Sequence, residues 1–312
     1  MPMPVPARLL AAGAVVAGLL PAVTGAVGAG ARADAPPSYV ALGDSYTAGP
    51  LVPLPTGEPA GCGRSTSNYP RLVAGGLGLA LTDVSCSGAR TEHLLAPQAV
   101  AGGGVNRPQL DAVSAGADVV TVGIGGNDIG FGEILETCFG VSPLGSPCRD
   151  RWVTPAGDEV SRRIAATGPR VAAVLAEARR RAPSARVLAV GYPAILPADG
   201  TGCWPVMPVA YADVAYLQAK HKELNAMIAA SAAAAGATYV DVYGPSVGHD
   251  ACRLPGVKWV EPVVPPAPAA PVHPNALGMW GMASAVAADV DPAAPPLPPP
   301  GPAVEVGVIV GG

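Results

Sequence analysis

The chain has 312 residues, of which 13% are charged and 50% hydrophobic, and its formal net charge is −4. This length allows one large domain or two small ones, with enough apolar residues for a sizeable core. The low charge and the lack of a Lys/Arg run of nucleic-acid-binding length argue against a nucleic-acid partner. We therefore expect a small, neutral partner and no contact with nucleic acid.

The first 33 residues have the pattern of a secretory signal peptide. Arg8 stands in a short head, an apolar run follows, and small residues end in the A-x-A pattern Ala31-Arg32-Ala33. Pro21 interrupts the apolar run before it reaches the roughly 20 residues that a membrane span needs. The pattern predicts a signal peptide over 1–33 and secretion to the extracellular side, with cell-wall association as a further option.

The cysteines fit an exported protein. Their number is even, which in an oxidising compartment is compatible with three disulfides. The six positions are Cys62, Cys86, Cys138, Cys148, Cys203 and Cys252. Fifteen pairings remain open at this point. Because none of these residues forms a C-x-x-C pair or has a histidine at zinc-finger spacing, we expect disulfides in long loops, and neither a metal nor a cofactor.

The first predicted strand covers residues 39–43 and leads into Gly43-Asp44-Ser45. In open α/β sheets, ligands bind at the carboxyl ends of the strands. The Ser45 hydroxyl would be a nucleophile there if a base lies within hydrogen-bond reach. The alternative is an ordinary strand-ending turn, because Gly, Asp and Ser are all common turn residues.

The order of the remaining elements defines the fold class. Apolar or β-branched runs predict further strands at 81–86, 117–124, 186–190 and 238–243. Helical patterns lie at 68–79, in about 25 residues ending near 181, at 209–235 and at 276–290. Parallel strands need crossover connections, so this alternation predicts an α/β fold: a three-layer αβα sandwich with a doubly wound, five-stranded parallel sheet.

Composition also sets the predicted domain boundaries. All predicted strands and helices fall within residues 34–291, which we expect to form one domain. Residues 292–312 begin with a Pro-rich stretch. Because such composition cannot build a core, we expect a disordered tail there.

Four positions carry the candidate chemistry. Ser45, Gly88 and Asn127 follow three of the strands, and His273 precedes the last helix. The carboxyl ends of parallel strands meet at one edge, so these residues should converge. In acyl transfer, Ser45 would attack an ester carbonyl while His273 accepts its proton. The Ser45 and Gly88 N–H groups and the Asn127 amide are candidate donors to the oxyanion.

Gly43-Asp44-Ser45, Gly88, the run Gly-Gly-Asn-Asp at 125–128 and His273-Pro274 resemble the four sequence blocks of the SGNH, or GDSL, hydrolase family. They occur in the family's order and approximate spacing, and the resemblance covers residues 38–290. The segment 87–93, together with the six cysteines, is most similar to the secreted actinobacterial lipase and esterase branch.

The resemblance implies a flavodoxin-like αβα hydrolase domain and a metal-independent serine esterase or lipase that acts on small-molecule or lipid esters. A monomer and contact with a lipid surface are further expectations. The resemblance also implies disulfides in sequence order, namely Cys62 with Cys86, Cys138 with Cys148, and Cys203 with Cys252.

Two positions depart from the family pattern. Tyr46 stands where many relatives have Leu, which we expect to affect packing more than chemistry. Ala270 stands three residues before His273, where most relatives carry the Asp that orients the histidine. We therefore predict a Ser45–His273 dyad oriented by the backbone carbonyl of Ala270 or of a neighbour, with Asp241 and Asp250 as less favoured substitutes.

Several alternatives remain open. Residues 244–248 match the G-x-S-x-G nucleophile elbow, with Ser246 as the nucleophile, but a helix does not follow directly. His221 lies in a predicted helix beside two lysines, so we expect it to be solvated. Related activities are carbohydrate O-deacetylase and phospholipase. A hypothesis from another class is a non-catalytic cell-wall or surface binding protein, suggested by the missing acid and the Pro-rich tail.

Overall fold

A computed structural model describes residues 1–4 and 35–300 of the chain. The chain divides into two units, residues 1–35 and 36–312, and the fold below belongs to the second. The predicted signal-peptide cleavage site and residues 301–312 lie outside the described residues. Within the part that is described, no helix has both the length and the apolar character needed to cross a membrane.

The centre of the fold is one parallel sheet of five strands. The strands are β1 Ser38–Gly43, β2 Ala80–Asp83, β3 Val119–Gly123, β4 Arg186–Val190 and β5 Thr238–Val240. Their order is β2-β1-β3-β4-β5, and every neighbouring pair is parallel. The chain turns to opposite sides of β1 to form β2 and then β3, so a crevice is expected between β1 and β3. This confirms the predicted doubly wound sheet.

Helices cover both faces of this sheet. Their bounds are α1 Ser45–Ala48, α2 Tyr69–Leu77, α3 Phe131–Cys138, α4 Pro147–Trp152, α5 Glu159–Arg181, α6 Tyr211–Ala235, α7 Tyr243–Ser246 and α8 Ala276–Val290. Short 3₁₀ turns lie at Ala60–Cys62, Thr91–Leu94 and Gln109–Ala112, and two-residue strands pair Gln98–Ala99 with Val105–Asn106 and Val153–Thr154 with Gly157–Asp158.

The alternation of side chains along β1 separates two hydrophobic cores. Val40 and Leu42 face the core that contains α5 and α6, whereas Tyr39 and Ala41 face the core that contains α2 and α8. Successive side chains of a strand point to opposite faces, so a strand that is apolar throughout fits between two helix layers. The result is the predicted three-layer αβα sandwich.

Local capping signals account for where two helices begin. The Asn68 side chain accepts the Arg71 N–H at the start of α2, and Pro70 lies in its first turn. Asn275 accepts the Gly278 N–H at the start of α8. Such caps satisfy N–H groups that have no partner inside the helix.

Several predicted boundaries were wrong; the second strand, for example, ends at Asp83 rather than at residue 86. The fifth strand ends at Val240 rather than at Tyr243, because the Asp241 side chain accepts the Tyr243 N–H and the chain turns into α7. The tail predicted from residue 292 is partly packed on the domain. Leu297 is only 7% exposed and belongs to the core of α2 and α8, and its carbonyl accepts the Trp280 indole N–H at 3.3 Å.

Three disulfides join the loops of the domain. They pair Cys62 with Cys86, Cys138 with Cys148, and Cys203 with Cys252, across sequence separations of 24, 10 and 49 residues. This is the pairing that the family resemblance implies.

Candidate active site

The carboxyl edge of the sheet brings the four candidate residues together. Ser45 begins α1 directly after β1, Gly88 lies in the loop after β2, Asn127 follows β3, and His273 precedes α8. All four line the same cavity. Residues that are far apart in sequence therefore share one site, as the parallel topology predicts.

Side-chain hydrogen bonds fix the turn that carries Ser45. Asp44 accepts the Tyr46 N–H at 2.9 Å and caps α1. The Gln109 amide binds the backbone of Gly43 twice, accepting its N–H at 2.7 Å and donating to its carbonyl at 3.0 Å. Gln109 was not identified from the sequence, because a contact across 66 positions leaves no local pattern.

Ser45 and His273 are in direct contact. The Ser45 Oγ lies 2.8 Å from His273 Nε2. Burial lowers the pKa of His273 below its ordinary value of 6.5, although the hydrogen bond to the Pro271 carbonyl opposes this shift. A neutral imidazole with Nε2 facing a hydroxyl can accept its proton, which is the requirement for a general base.

The carbonyl beside the other ring nitrogen belongs to Pro271, which corrects the prediction of Ala270. His273 Nδ1 lies 2.8 Å from the Pro271 oxygen. The Ala270 carbonyl is instead the acceptor of the His273 backbone N–H at 3.1 Å, so residues 270–273 form a β-turn. With its proton on Nδ1 and donated to Pro271, the ring presents Nε2 as an acceptor.

The other acids and the alternative serine are engaged elsewhere. Asp250 is buried and accepts the Arg253 Nε–H at 2.9 Å, while Asp241 accepts the Tyr243 and Gly244 N–H groups at the start of α7. Ser246 is fully buried, and its hydroxyl donates to the Tyr243 carbonyl and accepts the Ala194 N–H, both at 2.7 Å. Its geometry is that of a structural serine rather than an exposed nucleophile.

The turn that carries His273 has an unusual backbone. Val272 adopts a positive φ of 60°, which costs an L-residue about 1–2 kcal/mol in the left-handed region. With proline before it, Val272 occupies the turn position where type II turns favour Gly or Asn. Its carbonyl accepts the Tyr46 hydroxyl at 2.6 Å, and the Tyr46 ring lies 4.9 Å from the His273 ring, centroid to centroid.

Three donors surround the space in front of Ser45. Within the described residues, the backbone N–H groups of Ser45 and Gly88 have no hydrogen-bond acceptor. Gly88 has a φ of 75°, which glycine adopts without strain. The Asn127 amide donates to the Ala89 carbonyl at 2.9 Å, which fixes this amide beside the Gly88 loop.

A buried polar network lies beside Ser45. The Tyr192 hydroxyl donates to Asp44 at 2.5 Å and accepts the Gly126 N–H at 2.9 Å. Burial raises the pKa of Asp44 to about 7, although the bond from Tyr192 lowers it. The network joins the ends of β1, β3 and β4. This role of Tyr192 was not predicted from the sequence, because the bond to Asp44 crosses 148 positions.

An apolar cavity of about 550 Å³ opens at the Ser45–His273 pair. Hydrophobic side chains from the helices and their flanking loops form most of its wall. They include Phe131, Ile134, Leu135, Val160, Leu217 and Leu224. Such a wall suits a hydrocarbon chain attached to the reacting carbonyl, since apolar surface gains free energy when it leaves water.

His221 also lines this cavity, so the expectation that it is solvated was wrong. Burial lowers its pKa to about 4, and the ring packs edge-on against Tyr243 with centroids 5.3 Å apart. Its helix, α6, turns this side chain towards the interior. Across residues 1–4 and 35–300, no group of three or more His, Cys, Asp or Glu side chains is placed to hold a metal ion.

Known protein families and proteins resemble this chain over most of its length. The profile of the GDSL-like Lipase/Acylhydrolase family matches residues 41–280. The chain is 44% identical over 289 residues to Lipase 2 of Streptomyces coelicolor, which covers 89% of this chain and 95% of that protein. It is 32% identical over 282 residues to an esterase of Streptomyces scabiei, which covers 78% of this chain and 81% of that protein.

Solved structures of Streptomyces enzymes have the same fold as this chain. The extracellular lipase of Streptomyces rimosus superposes with a TM-score of 0.66 at 30% identity, covering 80% of this chain and 98% of that one. Phospholipase A1 of Streptomyces albidoflavus gives a TM-score of 0.66 at 28% identity, covering 80% and 96%. With the family profile covering residues 41–280, which include Ser45 and His273, the chain belongs to the GDSL-like lipase/acylhydrolase family and is a carboxylic ester hydrolase.

Proposed function

We propose that the chain hydrolyses esters through an acyl-enzyme formed on Ser45, with His273 as general base. The observation that carries this proposal is the 2.8 Å contact between Ser45 Oγ and His273 Nε2. Ser45 attacks the ester carbonyl as Nε2 takes its proton, and the imidazolium then protonates the departing alcohol. Water then attacks the acyl-enzyme as Nε2 takes its proton, and the imidazolium returns that proton to Ser45 Oγ as the acid leaves.

The developing oxyanion would be held by the Ser45 and Gly88 N–H groups and the Asn127 amide. The two backbone donors have no acceptor within the described residues, and Asn127 is fixed by the Ala89 carbonyl. Donors already in place stabilise the negative charge without reorganising during the reaction.

The cavity supports acyl chains longer than acetyl. Each methylene buried in an apolar pocket contributes about 0.8 kcal/mol, so binding should improve with chain length until the cavity of about 550 Å³ is filled. This favours a lipase or a long-chain esterase over a carbohydrate O-deacetylase, whose acyl group would leave most of the cavity empty.

Hydrolysis of p-nitrophenyl esters from acetyl to palmitoyl tests this proposal. We expect kcat/KM to rise with chain length until the cavity is filled, and hydrolysis to be abolished in Ser45→Ala, which loses the nucleophile. Ser246→Ala is the matched control and should retain turnover, because the Ser246 hydroxyl is bound within the fold. Full activity in Ser45→Ala would disprove the assignment, and turnover of acetyl esters alone would favour the deacetylase.

Phospholipase activity is a second candidate, because a solved relative is a phospholipase A1 and the apolar cavity suits a phospholipid acyl chain. Exposed Leu51 and Leu54, in the loop that follows Pro50 at the cavity, could contact a lipid surface. Fatty-acid release from phosphatidylcholine vesicles, compared with triglyceride emulsions, separates the two activities.

We also propose that the protein works outside the cytoplasm, because three disulfides require an oxidising compartment. Detection of the processed chain in culture medium, with an amino terminus following Ala33, would test secretion. A monomeric state and association with the cell wall stay predictions.

A further inference from the structure

Tyr46 links the nucleophile to the turn that carries the histidine. It directly follows Ser45 in α1, and its side chain is only 5% exposed. The hydroxyl donates to the Val272 carbonyl across 226 positions of sequence. The ring is held edge-on by Tyr192 and Phe131, with centroids 5.1 Å and 6.3 Å away, so its position is well defined.

Tyr46 donates its hydrogen bond to Val272, and the backbone conformation of Val272 determines where the Pro271 carbonyl points. That carbonyl belongs to the central peptide of the 270–273 turn. Type I and type II turns differ by rotating this peptide through about half a circle. In the observed turn, with Val272 at a φ of 60°, the oxygen lies 2.8 Å from His273 Nδ1. Rotation would carry it away from the ring.

Valine does not favour the observed turn. A β-branched residue at positive φ is a genuine outlier, so the surrounding structure must hold Val272 in place. The Pro262 carbonyl accepts the Val272 N–H at 3.4 Å on one side, and the Tyr46 hydroxyl binds the Val272 carbonyl at 2.6 Å on the other. The bond from Tyr46 is the shorter of the two and is buried.

We propose that Tyr46 is a positioning residue for His273, which acts by holding the 270–273 turn so that the Pro271 carbonyl orients the imidazole. This proposal rests on the Ser45–His273 dyad proposed above. A triad carboxylate would orient the ring by itself, but among the described residues the acceptor at Nδ1 is a backbone oxygen whose direction depends on the turn. Tyr46 thus connects the two departures from the family pattern, at positions 46 and 270.

Tyr46→Phe tests the proposal, because it removes the hydroxyl and keeps the ring. We expect kcat to fall roughly 3- to 10-fold, the size that loss of one buried hydrogen bond implies, with KM unchanged. The matched control is Tyr39→Phe, which removes another buried tyrosine hydroxyl, 2.9 Å from that of Thr121 and outside the cavity lining. It should lower the unfolding temperature to a similar extent and leave kcat unchanged.

Nuclear magnetic resonance gives a direct readout of the histidine. The Nδ1 proton of His273, assigned by its absence in His273→Ala, should broaden or exchange faster in Tyr46→Phe and not in Tyr39→Phe. A second variant, Val272→Gly, relieves the backbone strain because glycine adopts positive φ readily. The kcat loss from Tyr46→Phe should therefore be smaller in the Val272→Gly background.

The outcomes are distinct. Wild-type kcat and an unchanged Nδ1 proton in Tyr46→Phe would overturn the proposal, as would equal kcat losses in Tyr46→Phe and Tyr39→Phe. A kcat loss from Tyr46→Phe that the Val272→Gly background does not reduce would also contradict it. If Tyr46→Phe alone fails to fold, the double variant is compared with Val272→Gly alone, and a kcat loss of roughly 3-fold or more between these two would contradict the proposal. Ser45→Ala, assayed alongside, separates this result from a failure of the dyad itself.

Discussion

Two features of the His273 environment shift the pKa of its imidazole in opposite directions. Burial disfavours the imidazolium and lowers the pKa of His273, whereas the Pro271 carbonyl accepts a hydrogen bond from the ring and raises it. Burial has the larger effect, so the net shift is downward. A base must be unprotonated to work, so a lowered pKa extends the active form to lower pH.

We therefore predict that the acid limb of kcat/KM has its midpoint below pH 6.5, the ordinary value for histidine. Activity should be full above this midpoint and fall as the pH drops through it. The pH dependence of hydrolysis of a soluble ester measures the limb. Asp44→Asn is the control, because the pKa of the Asp44 carboxyl is raised to about 7. A limb that disappears in this variant would assign the titration to Asp44 instead.

Whole elements were easier to predict than the contacts between them. The strand at Arg186–Val190 and the helix at Ala276–Val290 match their predicted ranges, because an apolar run and an Asn cap are local signals. The carbonyl at His273 Nδ1 was predicted to be that of Ala270 or of a neighbour, and it is that of Pro271. That choice depends on the positive φ of Val272, which no local preference of valine indicates.

The segment after residue 291 also shows that local sequence does not predict contacts between distant residues. Proline-rich composition predicts disorder after residue 291, yet Leu297 finds a partner at Gly76 in α2. A Cβ at Gly76 would collide with the Leu297 side chain, so the missing side chain of glycine creates the space that leucine fills. Composition alone cannot reveal such a complementary pair.

Leu297→Ala should therefore destabilise the domain. Substitution of a buried leucine by alanine costs roughly 2–5 kcal/mol, and we expect the lower end because Leu297 lies near the end of the described chain. Denaturant unfolding measures the loss. Leu254→Ala is the matched control: Leu254 is 75% exposed, so its effect should be close to zero. Equal effects of the two substitutions would show that the tail does not contribute.

At the scale of the whole molecule, the general architecture of the site was predictable from the sequence. Parallel strands bring Ser45, Gly88 and Asn127 to one edge, so strand order alone places them near each other. The supporting residues Gln109 and Tyr192 were missed. Their roles depend on hydrogen bonds to Gly43 and Asp44 that form only after the layers have packed.

The Cys203–Cys252 disulfide spans 49 positions and joins the loops that follow β4 and β5. Linking distant positions restricts the unfolded chain, so replacing both cysteines by alanine should cost about 2–4 kcal/mol. Thermal or denaturant unfolding of the oxidised protein measures this loss. Val206→Ala changes a half-exposed residue nearby, keeps the bridge and should be nearly neutral. A double variant as stable as Val206→Ala would contradict the prediction.

The use of the Pro271 oxygen as acceptor has a consequence for mutational tolerance. A carboxylate can be lost by a single codon change, but every amino acid has a backbone carbonyl, so no substitution at position 271 removes the acceptor itself. Activity should instead be sensitive to substitution of the residues that determine the conformation of the turn, such as Val272 and Tyr46. A saturation screen of this segment should therefore find inactivating changes beside the acceptor position more often than at it.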